Sequence, residues 1–238
     1  MALRIRGSYG ITFGNIVQDG LVLNLDAGNP ASYPGSGTTW TDLSGNGKNG
    51  TLVNGVGFDS DYGGSLSFDG SNDYVNTSFS ENIVTTGFTF SFWFYGTKST
   101  VHFPAQFFVD ADANTIFRVE RFSAGSNTIE FGHSPNGGSI DGNELISYNF
   151  PNNVWTYCTL VYDGNYKYIY KNGTLDVTSS SGQTLTYYSG AFLRIGARQD
   201  SSAFPFAGNI AQVSIYNRAL TSFEIQFNFE TLRGRYGI

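Results

Sequence analysis

The loop Asp42-Leu43-Ser44-Gly45-Asn46-Gly47-Lys48-Asn49-Gly50 is the best candidate in the chain for holding a metal. Asp42 brings a carboxylate, Ser44 a hydroxyl, and Asn46 and Asn49 amide oxygens. The glycines let main-chain carbonyls converge, which suits a hard cation such as Ca²⁺ that takes six to eight oxygens. The same residues also make a Gly/Asn turn satisfied by its own backbone. In the second such loop, Asp69-Gly70-Ser71-Asn72-Asp73-Tyr74, the carboxylates are expected to bind backbone amides two residues on; sugar hydroxyls or a metal are the functional alternative. Nucleophilic chemistry has little to work with. His102 and His133 stand alone in loop-like context, and no Gly-x-Ser-x-Gly elbow occurs. Cys158 is the single cysteine and lies mid-strand, where a buried inert thiol is expected. Asp110 and Asp112 read as solvated turn carboxylates.

Sugar recognition asks for an exposed aromatic ring beside amide and carboxylate groups. Trp93, Tyr95 and Trp155 fall on strands, where core packing is expected. Tyr187, Tyr188, His133, Asn136, Arg198 and Asp200 lie in loop-like stretches and are the carbohydrate-binding candidates.

Strands must position all of these groups. Leu21 to Leu25 alternates, Thr51-Leu52-Val53 and Ser65 to Phe68 are short apolar runs, and Phe88, Phe90, Phe92 and Phe94 share one face of a strand at i, i+2 spacing. Val154 to Tyr162, Phe192 to Ala197 and Ile210 to Tyr216 read as further strands. Asn172-Gly173 accepts the positive φ angles of a type I′ turn and predicts a hairpin over 166–177. One helix is predicted, from Ser222 to Leu232, with Thr221 and Glu224 as a capping box and Phe223, Phe227 and Leu232 facing the sheet.

The composition agrees with a pleated, turn-rich fold. Of 238 residues 16% are aromatic, with 21 Phe and 15 Tyr, and 30 are glycine. With 40% hydrophobic and 13% charged residues the chain is globular. One cysteine excludes internal disulfides and a cysteine-based zinc site. A formal charge of −6, with 13 scattered Lys and Arg, gives nucleic acid nothing to condense on. No apolar run approaches the roughly 18 residues of a membrane helix, and no signal peptide is read at the N-terminus, so membrane insertion is not expected. No linker or repeat interrupts the pattern, which predicts an arm or edge strand over 1–20, one antiparallel sandwich over 21–232 and a tail over 233–238.

Several segments carry a family likeness: Leu21 to Asp26, Trp40 to Gly50, Leu66 to Val75, Tyr168 to Gly173 and Ile215 to Thr221. Together they resemble the laminin-G-like branch of the concanavalin A-like lectin/glucanase superfamily. The resemblance implies an all-β jelly-roll sandwich of two antiparallel sheets with one short C-terminal helix. It also implies Ca²⁺ at the Asp42 loop of related modules, helped there by acids early in the last strand, where this chain has Ala211 and Gln212. Glucanases of this superfamily carry two carboxylates on one strand, two or four residues apart; Glu81, Glu120, Glu130, Glu144, Glu224 and Glu230 show no such spacing, so no catalytic residue is expected. Tyr33 to Trp40 is similar to a sialidase box, but Tyr33 and Gly35 replace its Ser and Asp.

The first and last strands of such sandwiches usually pair, which would gather Arg4, Arg6, Arg233 and Arg235 into a positive patch. That patch reads as a docking surface for assembly, or as two solvated tails. The closing stretch, Asn217 to Thr221 and Leu232 to Ile238, is similar to the ends of modules in tailed-phage structural proteins. The expectation is therefore a non-catalytic lectin-like module on the surface of a virion, as head decoration or tail or neck fibre component, in contact with other virion proteins, with copies of itself or with bacterial surface glycans. A free-standing carbohydrate-binding protein or a glycan-degrading enzyme is the alternative. An extracellular adhesion domain fits less well, and the sequons at Asn49, Asn76 and Asn172 read as turn chemistry.

Overall fold

The computed structural model describes residues 15–84, 87–97, 102–108, 115–121, 128–134, 145–147, 150–180, 182, 185, 187, 189–197 and 205–238. The described strands, in chain order, are β1 (Leu21–Asp26), β2 (Thr39–Trp40), β3 (Gly50–Val53), β4 (Gly57–Asp59), β5 (Ser65–Asp69), β6 (Tyr74–Thr77), β7 (Phe88–Gly96) and β8 (His102–Phe108). They continue as β9 (Thr115–Arg121), β10 (Ile129–Ser134), β11 (Leu145–Ser147), β12 (Thr156–Tyr162), β13 (Lys167–Lys171), β14 (Thr174–Thr178), β15 (Phe192–Ile195) and β16 (Ala207–Tyr216), before α1 (Ser222–Leu232). Two antiparallel sheets result. One runs β14-β13-β12-β7-β16-β5-β4, with β1 also paired to β16; the other runs β11-β10-β9-β8-β15-β6-β3-β2. The expected all-β, concanavalin A-like jelly roll with one C-terminal helix is thus observed. Among the described residues no helix is long and apolar enough to cross a membrane.

β7 shows how the sequence builds both faces of the first sheet. Phe88, Phe90, Phe92 and Phe94 enter the core between the sheets, with ring centroids 5.3 Å apart for Phe90 and Phe92 and 5.2 Å for Phe92 and Phe94. The alternate residues Thr89, Ser91 and Trp93 are buried too, because α1 covers that outer face. Ser91 and Thr159 hydroxyls meet there at 3.0 Å, and Thr89 Oγ1 donates to the Arg218 carbonyl while accepting from Leu220 N–H. These hydroxyl contacts offset part of the desolvation cost of burying polar groups on this face, whereas the Trp93 indole N–H there has no hydrogen-bond partner.

The local turn and cap signals hold. Asn172 and Gly173 have φ of 48° and 78°, and Lys171 pairs with Thr174 across the hairpin. Thr221 Oγ1 accepts from Glu224 N–H while Glu224 accepts from Thr221 N–H, so the capping box is complete. The helix faces otherwise than its apolar residues suggest. Leu232 is buried as expected, but Phe223 is 77% exposed and Phe227 is also exposed; Ile225, Asn228, Phe229 and Leu232 form the buried stripe. Asn228 sets that rotation, since its Oδ1 accepts from Val17 N–H at 2.8 Å and its Nδ2 donates to Tyr216 Oη at 3.0 Å.

Candidate functional site

At the β4 edge of the first sheet, Asp59, Tyr62, Tyr95, Trp155 and Asn209 line a pocket of about 220 Å³. Five separate stretches supply them. Asp59 ends β4 and Tyr62 sits in the short 3₁₀ turn after it; Tyr95 and Asn209 face each other across β7 and β16; Trp155 directly precedes β12. The Trp155 ring is tilted 59° to Tyr62 at 5.9 Å and 53° to Tyr95 at 5.8 Å. Tyr62 is 53% exposed and Trp155 only 6%, so a mobile rim ring is not what holds the pocket: Trp155 packs on Tyr236 at 4.8 Å, which stacks on Trp93 at 4.0 Å, deep in the helix-side core. Hydrogen-bonding groups sit beside the rings. Asn209 Nδ2 donates to Ser65 Oγ at 3.0 Å and reaches Asp59 Oδ2 at 3.4 Å, while Asp59 Oδ1 accepts from Asp61 N–H at 2.9 Å.

The turn that presents Tyr62 is strained and tightly backed. Tyr62 has φ 52° and ψ 31°, a left-handed conformation that bulky residues seldom adopt. Gly64 follows at φ 108°, and a Cβ there would lie 2.9 Å from Gly28 Cα. Aromatic rings with adjacent amide and carboxylate groups are the equipment expected for holding a sugar.

The Asp42 loop has a different use. Asp42 is buried, and its carboxylate accepts from the N–H groups of Asn24 (2.9 Å), Ser44 (2.9 Å) and Lys48 (3.0 Å) and from the Ser44 hydroxyl (2.7 Å). Asn49 Oδ1 accepts from Asp42 N–H, and Asn46 Nδ2 turns toward Ser44 Oγ and the Leu21 and Val22 carbonyls. These oxygens are spent on the loop itself, so the set does not fit a Ca²⁺ that needs six to eight of them. Among the described residues no three His, Cys, Asp or Glu side chains gather as a metal group. Asp69 and Asp73 are likewise turn formers: Asp69 Oδ1 accepts from Ser71 N–H and Asp73 Oδ2 from Asp69 N–H.

Of the loop residues proposed for sugar, Tyr187 is half-buried against the main core, and its hydroxyl donates to the Ser80 carbonyl at 2.9 Å. His133 lies on β10 and its side chain is outside the described residues, as are Tyr188, Asn136, Arg198 and Asp200. Arg4 and Arg6 are also outside them. β1 and β16 do pair, from Leu21 opposite Tyr216 to Asp26 opposite Gln212. Arg233 is exposed, with Glu230 at 3.3 Å, whereas Arg235 is committed to a buried pair with Asp26. The pocket at the β4 edge was not legible in advance, although Tyr62 followed by two glycines is a signal that an aromatic ring is being held out by a turn.

Two acidic positions do come opposite each other across strands. β9 and β10 place Glu120 directly opposite Glu130, a relation that spacing along one strand cannot reveal, and Glu130 is fully buried. Cys158, the single cysteine, is buried.

Residues 69–226 match a laminin-G family described as concanavalin A-like lectin/glucanases superfamily. A search among curated proteins finds no match. Among solved structures, the botulinum neurotoxin type G receptor-binding domain is similar with a TM-score of 0.67 at 16% identity, over 89% of this chain and 51% of that one. The serotype D binding domain gives 0.69 at 14%, over 90% and 52%. The serotype D ligand-binding domain in complex with N-acetylneuraminic acid gives 0.65 at 14%, over 90% and 51%. The chain therefore spans about half the length of these structures and shares their fold. With the family matched over well more than half of its residues, the chain belongs to the concanavalin A-like lectin/glucanases superfamily.

Proposed function

We propose that this chain is a non-catalytic glycan-binding module. The observation that carries the reading is the pocket of Tyr62, Tyr95 and Trp155 with Asp59 and Asn209, built around Trp155, which is anchored in the core. Rigid aromatic surface with a few fixed polar groups favours sugar binding, because the rings need no ordering when the ligand arrives. Neurotoxin domains of the same fold include one solved with N-acetylneuraminic acid, which lends the fold a precedent for sugar ligands. A glycan array probed with wild-type chain and with Tyr62→Ala tests the reading: wild type should retain specific glycans and the variant should lose them at an unchanged melting temperature. No retained glycan would overturn it.

The setting we propose is the surface of a phage particle, as head decoration or tail or neck component; support comes from the closing stretch Asn217 to Thr221 and Leu232 to Ile238. Mass spectrometry of purified particles should find this chain in fixed copy number. A second reading, glycan hydrolysis, is favoured by one observation, the placement of Glu120 opposite Glu130. Release of reducing ends from oligosaccharides by wild type and not by Glu130→Gln would replace the binding reading with that one.

A further inference from the structure

The pocket at the β4 edge has the character of a cation cage. Tyr62 and Tyr95 are each tilted by more than 50° against Trp155, so the three rings that line the pocket do not form one flat plate. A flat plate suits the C–H face of a neutral pyranose. Several rings set at an angle around one space, each with a negative face, suit an ammonium group. The polar atoms agree in sign. Asp59 supplies a carboxylate whose partners are the Asp61 N–H and a long contact from Asn209, and neither Asp59 nor Asp61 forms an ion pair among the described residues. Asn209 uses its Nδ2 on Ser65 and Asp59, which leaves Oδ1 as an acceptor. The guanidinium of Arg235, which lies by Gly63 of the Tyr62 turn, is neutralised by Asp26. The pocket is thus acidic, rich in acceptors and walled by rings, on a chain of net charge −6.

Resting on the glycan-binding reading, we infer that the group seated in this pocket is the protonated amine of an amino sugar. An ammonium carries three donors and a full positive charge, matching Asp59 and Asn209 Oδ1 while its C–H neighbours lie on Tyr62 and Trp155. The same pocket disfavours an acidic sugar, whose carboxylate would face Asp59.

Isothermal titration of the full chain with a glucosamine trimer, its N-acetylated counterpart, cellotriose, sialyllactose and choline separates the outcomes. The glucosamine trimer should bind at least tenfold tighter than the N-acetylated and neutral trimers, with sialyllactose weakest, and its affinity should fall at alkaline pH as the amine loses its proton. Asp59→Asn keeps the acceptor for the Asp61 N–H but removes the charge, and should cost about tenfold in affinity for the glucosamine trimer and several-fold less than that for the neutral trimers. Tyr62→Ala, at an exposed position, should weaken every sugar. Equal binding of charged and neutral trimers overturns the amine assignment and leaves the glycan reading standing. Binding of choline alone overturns the amino sugar and the glycan reading together, as does binding of nothing. Unchanged affinity in both folded variants places the ligand elsewhere and overturns the inference.

Discussion

Arg235, in the turn after α1, donates through Nη1 and Nη2 to the two carboxylate oxygens of Asp26 at the end of β1, each at 2.9 Å. The side chains are 7% and 9% exposed, and the pair ties the last turn of the chain to its first described strand. It also backs the site, because a Cβ at Gly28, or at Gly63 in the Tyr62 turn itself, would meet the Arg235 side chain. Arg235 is therefore unavailable as a free surface charge for docking, and of the four arginines at the chain ends Arg233 is the one the structure shows exposed.

Asp26→Ala leaves a buried guanidinium without its anion and should destabilise the fold by about 3–5 kcal/mol. Replacing both partners by apolar residues of similar volume, Asp26→Leu with Arg235→Met, should recover most of that loss. Urea denaturation with a shared slope measures both. A single substitution as mild as the double one would mean that the pair is solvated in solution.

Gly64→Ala tests how the Tyr62 turn is held. The left-handed φ and the 2.9 Å approach to Gly28 Cα force the backbone to shift, at about 1–3 kcal/mol. Because Tyr62 rides on that turn, the near-ultraviolet circular dichroism arising from its contact with Trp155 should weaken as well. A variant with wild-type stability and spectrum would show that the turn is slack.

Asp42 makes the calcium question measurable. If its carboxylate serves the loop's own amides, millimolar Ca²⁺ leaves the melting temperature unchanged, and Asp42→Ala costs about 2–4 kcal/mol with or without the ion, since three N–H groups lose their acceptor. A rise in melting temperature with Ca²⁺ that Asp42→Ala abolishes would restore the metal site.

What could be read in the sequence was what short-range chemistry decides. The four phenylalanines of β7, the Asn172-Gly173 turn and the Thr221–Glu224 box each depend on neighbours within a few residues, and each is where the pattern places it. The helix face was misread at Phe223 and Phe227 because a polar residue, Asn228, occupies the middle of the buried stripe and is held there by Val17 and Tyr216, both remote in sequence. The pocket was missed for the same reason. Asp59 and Tyr62 reach Tyr95, Trp155 and Asn209 only through the ladder β4-β5-β16-β7-β12, and Trp155, expected in the core, is buried on one side and lines the pocket on the other.

Glu224 gives the helix an acid-sensitive start. Arg218 donates to it through Nη1 at 3.0 Å and Nη2 at 2.6 Å, and with the Thr221 contacts this holds its pKa down from 4.5 to about 2. A carboxylate with a depressed pKa binds fewer protons in the folded chain than in the unfolded one. Its contribution is therefore complete above about pH 4.5 and is lost as the pH falls toward about 2. At neutral pH Glu224→Gln should cost about 1 kcal/mol, a modest value because the group is partly exposed and the pair is screened by solvent. Between pH 4.5 and 2 the stability gap between wild type and Glu224→Gln should narrow toward zero, whatever the other carboxylates do to both. A gap constant across that range would mean that Glu224 titrates as an ordinary surface acid and that Arg218 does not engage it in solution.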